Sequence, residues 1–459
     1  MPHGRALGLA LLLAALLAPA TASAEEKLLT LYSPAIQTQP YVHDTHNVPL
    51  RANGLEAPAE PGYVTGVKEQ VLVDSKDPEA EPLNNAKFMI HHFLFWAPGR
   101  LDQAPGSCWG QSGFVAGRGE EHPDGQFGEF TSPEIRARYG ITNRTAQGTA
   151  PDWRLTAMVM NHVKRPKKVF VRLRIWYTTE PREPISPVVV ANCRHLGNAM
   201  AYDVPGDGGP SSEYVDQSTW TVPAGLRGRI LGAASHQHGG GKYQTLSSVT
   251  CDRPLFKADV YHAPPGHIYN TIRPILHEPG PIANGTFRTA EGIPITPGEV
   301  LHRRAVHDNA NLHVASMGFW VLMVAPDETA QPCGPMPGDL REITRPERFD
   351  PTPNYRLKVP QLAPPRPTAF RAFTGAPLMI DDANFRRGRV RARVGTPITW
   401  RIQGSLPHTV TVANGPIGFS SLYSGVANGS YTFTPRKRGT YRLTCLIHPT
   451  RMGQTLVVK

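Results

Sequence analysis

The sequence lacks long hydrophobic runs beyond its N-terminus, and several common functional motifs are missing from it. Outside the first 24 residues, no segment reaches the roughly 18 consecutive apolar residues of a transmembrane helix, so no membrane span is expected. There is no phosphate-binding loop, Ser-His-Asp signature, zinc ribbon or internal repeat. The basic clusters at 164–168 and 386–393 contain no aromatic residues, which argues against nucleic-acid binding.

The composition favours β structure. The chain contains 46 prolines and 43 glycines, which interrupt it too often for a helical bundle. Its 40% apolar content and 7 tryptophans are too high for a disordered protein. Short β-branched runs such as 169–177 lie between frequent turns. We therefore predict an all-β fold built from antiparallel sandwiches.

The N-terminus has the features of a secretory signal peptide. Arg5 precedes the apolar segment 6–18, and small residues end at Ala24, where cleavage is expected. A single arginine favours a Sec-type signal, and export predicts a periplasmic or secreted protein. Export also permits disulfides. Four of the five cysteines are candidates, with three possible connectivities: Cys108, Cys193, Cys251 and Cys333.

Four metal-binding side chains occur in a fixed order near the C-terminus. His408 comes first, and Cys445, His448 and Met452 follow as a Cys-x2-His-x3-Met motif on a predicted strand–loop–strand over 439–458. Two imidazoles, a thiolate and a weak axial thioether are the ligands of a type 1 (blue) copper site. A buried cysteine beside a surface histidine is the alternative, and it does not account for all four ligands.

The C-terminal segment 369–459 resembles the plastocyanin- and azurin-type cupredoxins. Its part 389–415 alternates like paired strands joined by a tight turn at Gly395. The His-to-Met spacing is one residue shorter than in plastocyanin. The resemblance implies a Greek-key sandwich with one electron-transferring copper. The matching residues are Pro407, His408, Gly439, Tyr441, Cys445, His448, Met452 and Gly453.

Histidines also occur in pairs in the main body of the chain. His236 and His238 are two residues apart on a predicted strand, so both side chains leave the same face and could bind one metal ion. His91 and His92 are adjacent and would point to opposite faces of a regular strand. A shared metal at this pair requires a β-bulge or a strand end. Taken singly, a histidine in an apolar run is more often a core residue than a ligand.

The order of these residues resembles the copper type II, ascorbate-dependent monooxygenases. His-His, a single His162, His-x-His and Met317 follow one another as in peptidylglycine α-hydroxylating monooxygenase and dopamine β-monooxygenase. The surrounding sequences HHFLFW, HQHGGGK and 292–308 match as well, and the resemblance covers most of 80–335.

The monooxygenase resemblance implies two mononuclear coppers in two jelly-roll-like antiparallel β-sandwich domains. One copper would be held by His91, His92 and His162, and the catalytic one by His236, His238 and Met317. The implied reaction inserts one atom of O2 into a C–H bond of a small organic substrate. It draws electrons from an external reductant such as ascorbate or a redox protein.

Two positions depart from the peptide hydroxylases of this family. Ala234 stands where they carry a substrate-binding Arg, and Val321 stands where they carry a Tyr. A peptide C-terminus is therefore not a favoured substrate. We weigh a copper monooxygenase with a fused electron donor against a non-catalytic periplasmic protein that binds copper or transfers electrons.

The motifs predict the following division of the chain: a signal peptide at 1–24, a first copper domain at 25–180, a second at 181–345, a Pro-rich linker at 346–368 and the cupredoxin domain at 369–459. His313, four residues before Met317, is an alternative ligand. Six other histidines of the main body are predicted to lie in loops or on the surface: His195, His262, His267, His277, His302 and His307.

Overall fold

A computed structural model describes residues 26–39, 43–49, 58, 60–83, 87–96, 114–118, 132–144, 153–161, 163, 165–193, 200–204, 208, 211–262, 281–310, 313–344, 364–404, 408–417, 419, 421, 429–445, 448 and 451–459. The predicted signal peptide, Cys108, His162, His195, His267 and His277 lie outside this part of the chain. The described residues are almost entirely β strands, so the all-β prediction is confirmed.

Thirty strands and one short helix make up the described fold, and they fall into three groups along the chain. The first group is β1 (Lys27–Tyr32), β2 (Ile36–Thr38), β3 (His43–Pro49), β4 (Tyr63–Val73), β5 (Phe88–Trp96), β6 (Phe114–Arg118), α1 (Pro133–Arg138), β7 (Tyr139–Thr142), β8 (Arg154–Asn161), β9 (Lys167–Thr178) and β10 (Glu183–Pro184). The second is β11 (Ser186–Ala191), β12 (Tyr202–Val204), β13 (Glu213–Thr221), β14 (Gly228–Gln237), β15 (Gly241–Ser248), β16 (Arg253–Tyr261), β17 (Ala283–Asn284), β18 (Thr286–Ile295), β19 (Val300–Asp308), β20 (His313–Ser316), β21 (Gly318–Pro326) and β22 (Arg341–Glu342). The third is β23 (Arg371–Ala372), β24 (Leu378–Ile380), β25 (Arg389–Ala392), β26 (Ile398–Ile402), β27 (Thr411–Asn414), β28 (Ser430–Phe433), β29 (Gly439–Thr444) and β30 (Gly453–Val458). With six residues, α1 is much too short to cross a membrane, and no other helix occurs in the described residues.

The first group forms two sheets, which we call the first sheet pair. One has the order β1-β9-β4-β7-β10, with β2 beside β9, and the other has the order β3-β8-β5-β6. The β-branched run at 169–177 lies within β9, where Val171 and Leu173 enter a core that also contains Phe93 from β5. Successive side chains of a strand point to opposite faces, so β9 contributes every second residue to this core.

The second group forms the second sheet pair, in which one sheet is covered on both faces. Its two large sheets have the orders β11-β21-β14-β18-β22 and β13-β19-β15-β16-β17, and β12 pairs with β20 in a separate two-stranded sheet. On β21, Trp320 and Leu322 point into the core between these two sheets. The alternate residues Val321 and Met323 belong instead to the core of the first sheet pair. Burial of both faces explains why β21 is an almost uninterrupted hydrophobic run.

A buried ion pair joins β13 and β19 inside the second sheet pair. Arg303 has no exposed surface, and its Nη2 atom donates to Asp216 Oδ2. Arg303 Nη1 also donates to the carbonyl oxygen of Gly318, 2.6 Å away. A buried guanidinium is tolerated only when it is paired and hydrogen-bonded. The contacts to Asp216 and Gly318 therefore offset the cost of burying the charge of Arg303.

His307 was predicted to lie in a loop or on the surface, and this prediction is wrong. It is on β19 and completely buried, whereas His302 on the same strand is partly exposed. The Nε2 atom of His307 is hydrogen-bonded to the hydroxyl of Tyr202 at 2.7 Å, and Gln237 Nε2 lies 3.3 Å from the same atom. Burial, followed by the nearby His313, lowers the pKa of His307 to about 3. The imidazole is therefore neutral near pH 7.

We expect His307 to make the stability of the metal-free protein depend on pH. Protonation is favoured only after unfolding, because the folded pKa is about 3 and the ordinary value is 6.5. The contribution is fully present above about pH 6.5 and falls by about 1.4 kcal/mol per pH unit as the pH drops toward the folded pKa. Urea unfolding between pH 7 and pH 4 measures this slope. His307→Gln should flatten it, and equal slopes in the two proteins would contradict the assignment.

A disulfide joins Cys251 to Cys333, with Cα atoms 5.3 Å apart, and Cys193 is also disulfide-bonded. The predicted pairing among the four candidate cysteines is thus confirmed for these residues. Cys445 is a free, buried cysteine. Disulfides fit an oxidising compartment such as the periplasm or the cell exterior.

The third group forms a separate two-sheet unit, which we call the C-terminal unit. Its sheets have the orders β23-β25-β30-β29-β27 and β24-β26-β28. The predicted pairing of β25 with β26 is therefore wrong, because the tight turn at Gly395 passes the chain from one sheet to the other. Gly395 has φ of 80°, a conformation that glycine adopts without strain. Trp400 Nε1 on β26 donates to Gln454 Oε1 on β30 at 2.8 Å and links the two sheets.

Candidate metal centres

Strand pairing in the C-terminal unit brings His408 next to Cys445. Thr411 on β27 pairs with Thr444 on β29 in antiparallel register. His408 lies just before β27 and Cys445 just after β29, so both residues are at the same end of the sheet. This arrangement gives the predicted ligands a fixed backbone on either side of the site.

The donor atoms of the C-terminal site converge. Cys445 Sγ lies 3.9 Å from His408 Nδ1 and 3.7 Å from His448 Nδ1. All three donor atoms lie within 4.8 Å of one another, and no other group of three such residues in the described chain does so. His408 and Cys445 have no exposed surface, whereas His448 is partly exposed.

Backbone hydrogen bonds link Cys445 to the other two predicted ligands. The backbone N–H of His448 donates to the carbonyl of Cys445 at 3.2 Å, and that of Met452 donates to the carbonyl of His448 at 3.0 Å. Met452 is buried in the same core as Cys445. The amide of Thr409 donates to Cys445 Sγ at 3.3 Å, a contact that stabilises negative charge on sulfur.

This set of donors fits a copper ion. Two imidazoles, a thiolate and a thioether combine ligands that suit both copper oxidation states. Burial lowers the pKa of His448, and His408 and Arg451 lower it further. A neutral imidazole is the form that binds metal, so these surroundings favour binding at neutral pH.

A carboxylate that was not anticipated from the sequence orients His408. Asp382 Oδ1 lies 3.2 Å from His408 Nε2, on the side of the ring away from Cys445. Asp382 can approach His408 because residue 404 is a glycine. A Cβ atom at Gly404 would lie only 2.1 Å from Asp382 Oδ1. A proton on Nε2 would be donated to Asp382 and would leave Nδ1 free for the metal.

Asp382→Asn should raise the reduction potential of the C-terminal site. A carboxylate that is hydrogen-bonded to the far nitrogen of a ligand imidazole makes that imidazole a stronger electron donor to the metal. It thereby favours the oxidised metal, an effect that a neutral amide provides only weakly. A tenfold loss of Cu(II) affinity at constant Cu(I) affinity corresponds to about 60 mV, and we expect a rise of up to that size. A redox titration that follows the blue absorption measures it.

Asp381→Asn is the matched control for this experiment. The Asp381 carboxylate accepts from the amides of Ala383 and Asn384 and from Arg386, so its loss removes one charge without changing the contact to His408. Equal potentials for the two variants would show that Asp382 acts only through its overall charge.

A β-bulge brings His91 and His92 together. On β5, Ile90 pairs with Val159 and His92 pairs with Met158, so His91 is the additional residue between two consecutive pairs. The two imidazole centroids are 4.7 Å apart. The bulge that a shared metal would require at this pair is therefore present.

His236 and His238 lie at the end of β14, with ring centroids 5.0 Å apart. His236 packs against Phe319 with ring centroids 4.6 Å apart. The carbonyl oxygen of His236 accepts from Gln244 Nε2 at 2.8 Å, and Gln237 Nε2 donates to the carbonyl of Val306 at 3.2 Å. These bonds fix the backbone that carries both rings.

The two histidine pairs are in contact with each other. The rings of His91 and His238 have centroids 5.4 Å apart, so His92, His91, His238 and His236 form one continuous series. We call these four residues the core histidine cluster. His91 and His236 are buried, and the other two are partly exposed. His162 lies outside the described residues.

Met317 lies between β20 and β21 and packs against the core shared by the two sheet pairs. Gln237 pairs with Gly318, so extending this register by one residue places Met317 opposite His238. The alternative ligand His313 is on β20, where its Nε2 atom lies 3.9 Å from Asp308 Oδ2. The His313 ring packs directly over Gly240, because a Cβ atom at this glycine would lie only 2.3 Å from the ring.

The two positions that depart from the peptide hydroxylases are cross-strand partners. Ala234 on β14 pairs directly with Val321 on β21. Both are buried in the core shared by the two sheet pairs. Apolar packing thus occupies the place where a substrate carboxylate would need an arginine.

Comparison with known proteins gives weak similarity to amicyanin structures. The oxidised form of one amicyanin variant is 23% identical over 18% of this chain and 82% of that chain, with a TM-score of 0.16. A reduced form of another variant is 21% identical over 19% and 86%, with a TM-score of 0.17, and a Cu(I) form of a third is 20% identical over 19% and 82%, with a TM-score of 0.15. No protein-family model matches the chain, and no curated protein matches it at a significant level. Similarity this weak does not establish a function.

Proposed function

We propose that this protein is an exported copper oxidoreductase in which a type 1 copper site supplies electrons to a copper centre in the main body. The observation that carries the proposal is the convergence of His408, Cys445 and His448, with donor atoms within 4.8 Å of one another. The buried thioether of Met452 completes the ligand set of a blue copper site. Such a site transfers electrons and has no vacant position for a substrate.

We further propose that the main body is a monooxygenase that hydroxylates a C–H bond of a small organic substrate with O2. Its support is the core histidine cluster, together with the resemblance of the His-His, His-x-His and Met order to the copper type II monooxygenases. In this reaction one oxygen atom enters the C–H bond and the other leaves as water, with two electrons and two protons consumed. Copper held by imidazole and thioether ligands would supply the O2 chemistry.

The substrate is not expected to be a peptide carboxylate. The pair of Ala234 and Val321 offers no charge and no hydrogen-bond donor, and both side chains are buried. Without an arginine at this place to pair with a carboxylate, a neutral molecule is the favoured substrate. The apolar pair of Ala234 and Val321 also supports the alternative function, a copper-binding or electron-transfer protein without catalysis, because it provides no group that would bind a substrate.

Oxygen uptake by the copper-loaded, reduced protein distinguishes the two functions. With ascorbate as the reductant and a panel of neutral organic molecules, a monooxygenase gives substrate-dependent O2 consumption and a hydroxylated product by mass spectrometry. Background O2 consumption across the panel, with an intact blue absorption, favours the electron-transfer protein. Absence of a blue absorption in the oxidised, copper-loaded protein would contradict the type 1 site.

Met317→Ile is expected to abolish hydroxylation and to leave the blue absorption unchanged. The substitution removes the proposed thioether ligand and keeps apolar bulk against the shared core, so the fold should tolerate it. Product formation and the visible spectrum are measured on the same sample. Persistent hydroxylation would mean that another residue, such as His313, is the third ligand.

A further inference from the structure

The ring contacts of the core histidine cluster have the spacing of imidazoles that share a metal ion. The three successive centroid distances are 4.7, 5.4 and 5.0 Å. Two imidazoles bound to one ion at a metal–nitrogen distance of about 2.0–2.1 Å have centroids roughly 4.5–5.5 Å apart. For comparison, the ring centroids of His408 and His448, whose donor atoms do converge, are 5.0 Å apart.

We propose that His91 and His238 bind the same metal ion, so that the main body holds one ion shared between the first and second sheet pairs. His92 and His236 continue the series on either side of this pair. This inference deepens the proposed function and rests on it for the identity of the metal. It departs from the two separate sites that the monooxygenase resemblance implies, in which His91 and His238 would belong to different coppers.

The packing of the sheets supports a site between them. His236 lies on the face of β14 that also presents Ala234 to the shared core, and Phe319, which packs on His236, belongs to the same core. Phe93, close to the bulged His91, is in that core as well. The contact between the buried His91 and the partly exposed His238 therefore lies at the edge of the shared core.

Binding requires the rings of His91 and His238 to turn. Among the described residues, only the C-terminal group has three donor atoms within 4.8 Å. Rotation of an imidazole about χ2 has broad minima, so the rings of His91 and His238, with centroids 5.4 Å apart, can turn toward a common ion. The partly exposed His92 and His238 leave one side of the cluster open to ions from solvent.

A single shared ion in the main body is also consistent with the number of electrons that hydroxylation requires. Hydroxylation consumes two electrons, and one ion in the main body plus one in the C-terminal unit can store both. The fused type 1 site would then take the place of a second copper in the main body.

Cobalt binding to the full-length protein tests the shared site. The background is a variant with Cys445→Ser and His448→Ala, which removes two ligands from the C-terminal site. Titration with Co²⁺ alone, followed by visible absorption, is expected to end at one ion per chain. His91→Ala and His238→Ala, which come from different sheet pairs, should each weaken this binding at least tenfold. His302→Ala, on β19 outside the cluster, should leave it unchanged.

The possible outcomes separate this inference from the proposed function. An end point of two ions, with each histidine variant losing only one, would overturn the shared site and leave a copper monooxygenase in place. No Co²⁺ binding at all would contradict both. If the alanine variants fail to fold, His91→Gln and His238→Gln keep the bulk and polarity of the side chains, and the end point on the background protein still decides between one ion and two.

Discussion

Cys445→Ser is expected to abolish the blue absorption and to reduce turnover with a protein reductant to background. Serine cannot supply the thiolate that gives a type 1 site its affinity and colour. Turnover with ascorbate should continue, if this small reductant reaches the main body directly. Tethering raises the effective concentration of the C-terminal unit to roughly millimolar. Loss of its copper site should therefore lower the turnover rate whenever this unit is the electron donor.

Steady-state rates with the two reductants, measured on wild type and Cys445→Ser, provide the test. Thr409→Ser is a suitable control, because it changes a neighbouring side chain and keeps the backbone N–H that donates to Cys445 Sγ. Unchanged rates for Cys445→Ser with both reductants would show that the C-terminal unit does not feed the main body. It would then be a copper store or a docking module.

Asp216→Ala is expected to destabilise the second sheet pair by about 3–5 kcal/mol, because it leaves the guanidinium of Arg303 buried without its counter-charge. Arg303 has no exposed surface from which it could reach water. Urea unfolding followed by tryptophan fluorescence measures the loss, since Trp320 lies in the adjacent core.

Two further variants make this result specific. Glu213→Ala, on the same strand, removes an exposed partner of Lys242 and should cost less than about 1 kcal/mol. Asp216→Ala combined with Arg303→Met removes both charges and should be more stable than Asp216→Ala alone. If the single and double variants were equally unstable, the loss would come from packing and not from the unpaired charge.

The features that could be predicted from the sequence are those encoded by local spacing. Residues two apart on a strand share a face, which predicted the proximity of His236 and His238. The Cys-x2-His-x3-Met motif predicted a cluster that strand pairing then completed with His408. The β-branched run at 169–177 predicted a strand, and β9 occupies that segment. In each case the information lies within a few residues of chain.

The features that were missed depend on residues far apart in the sequence. His307 looks like a surface residue among charged neighbours, and only the pairing of β19 within its sheet buries it beside Tyr202. Asp382 reaches His408 because Gly404 leaves room, a contact between three separate segments. The contact of His91 with His238 arises from the core shared by the two sheet pairs, which no single strand pattern specifies.

Burial of β21 on both faces has a consequence for how the main body can move. Separating the two histidine pairs would expose Val321 and Met323, and opening the other face would expose Trp320 and Leu322. Neither sheet pair can therefore unfold locally without uncovering apolar surface on the other. The amide hydrogens of β21 should be among the slowest in the chain to exchange with solvent, at a rate set by global unfolding and not by hinge opening. In the proposed monooxygenase, a substrate would therefore reach the histidines from their exposed side, since a cleft that opens and closes between the sheet pairs would disrupt this strand.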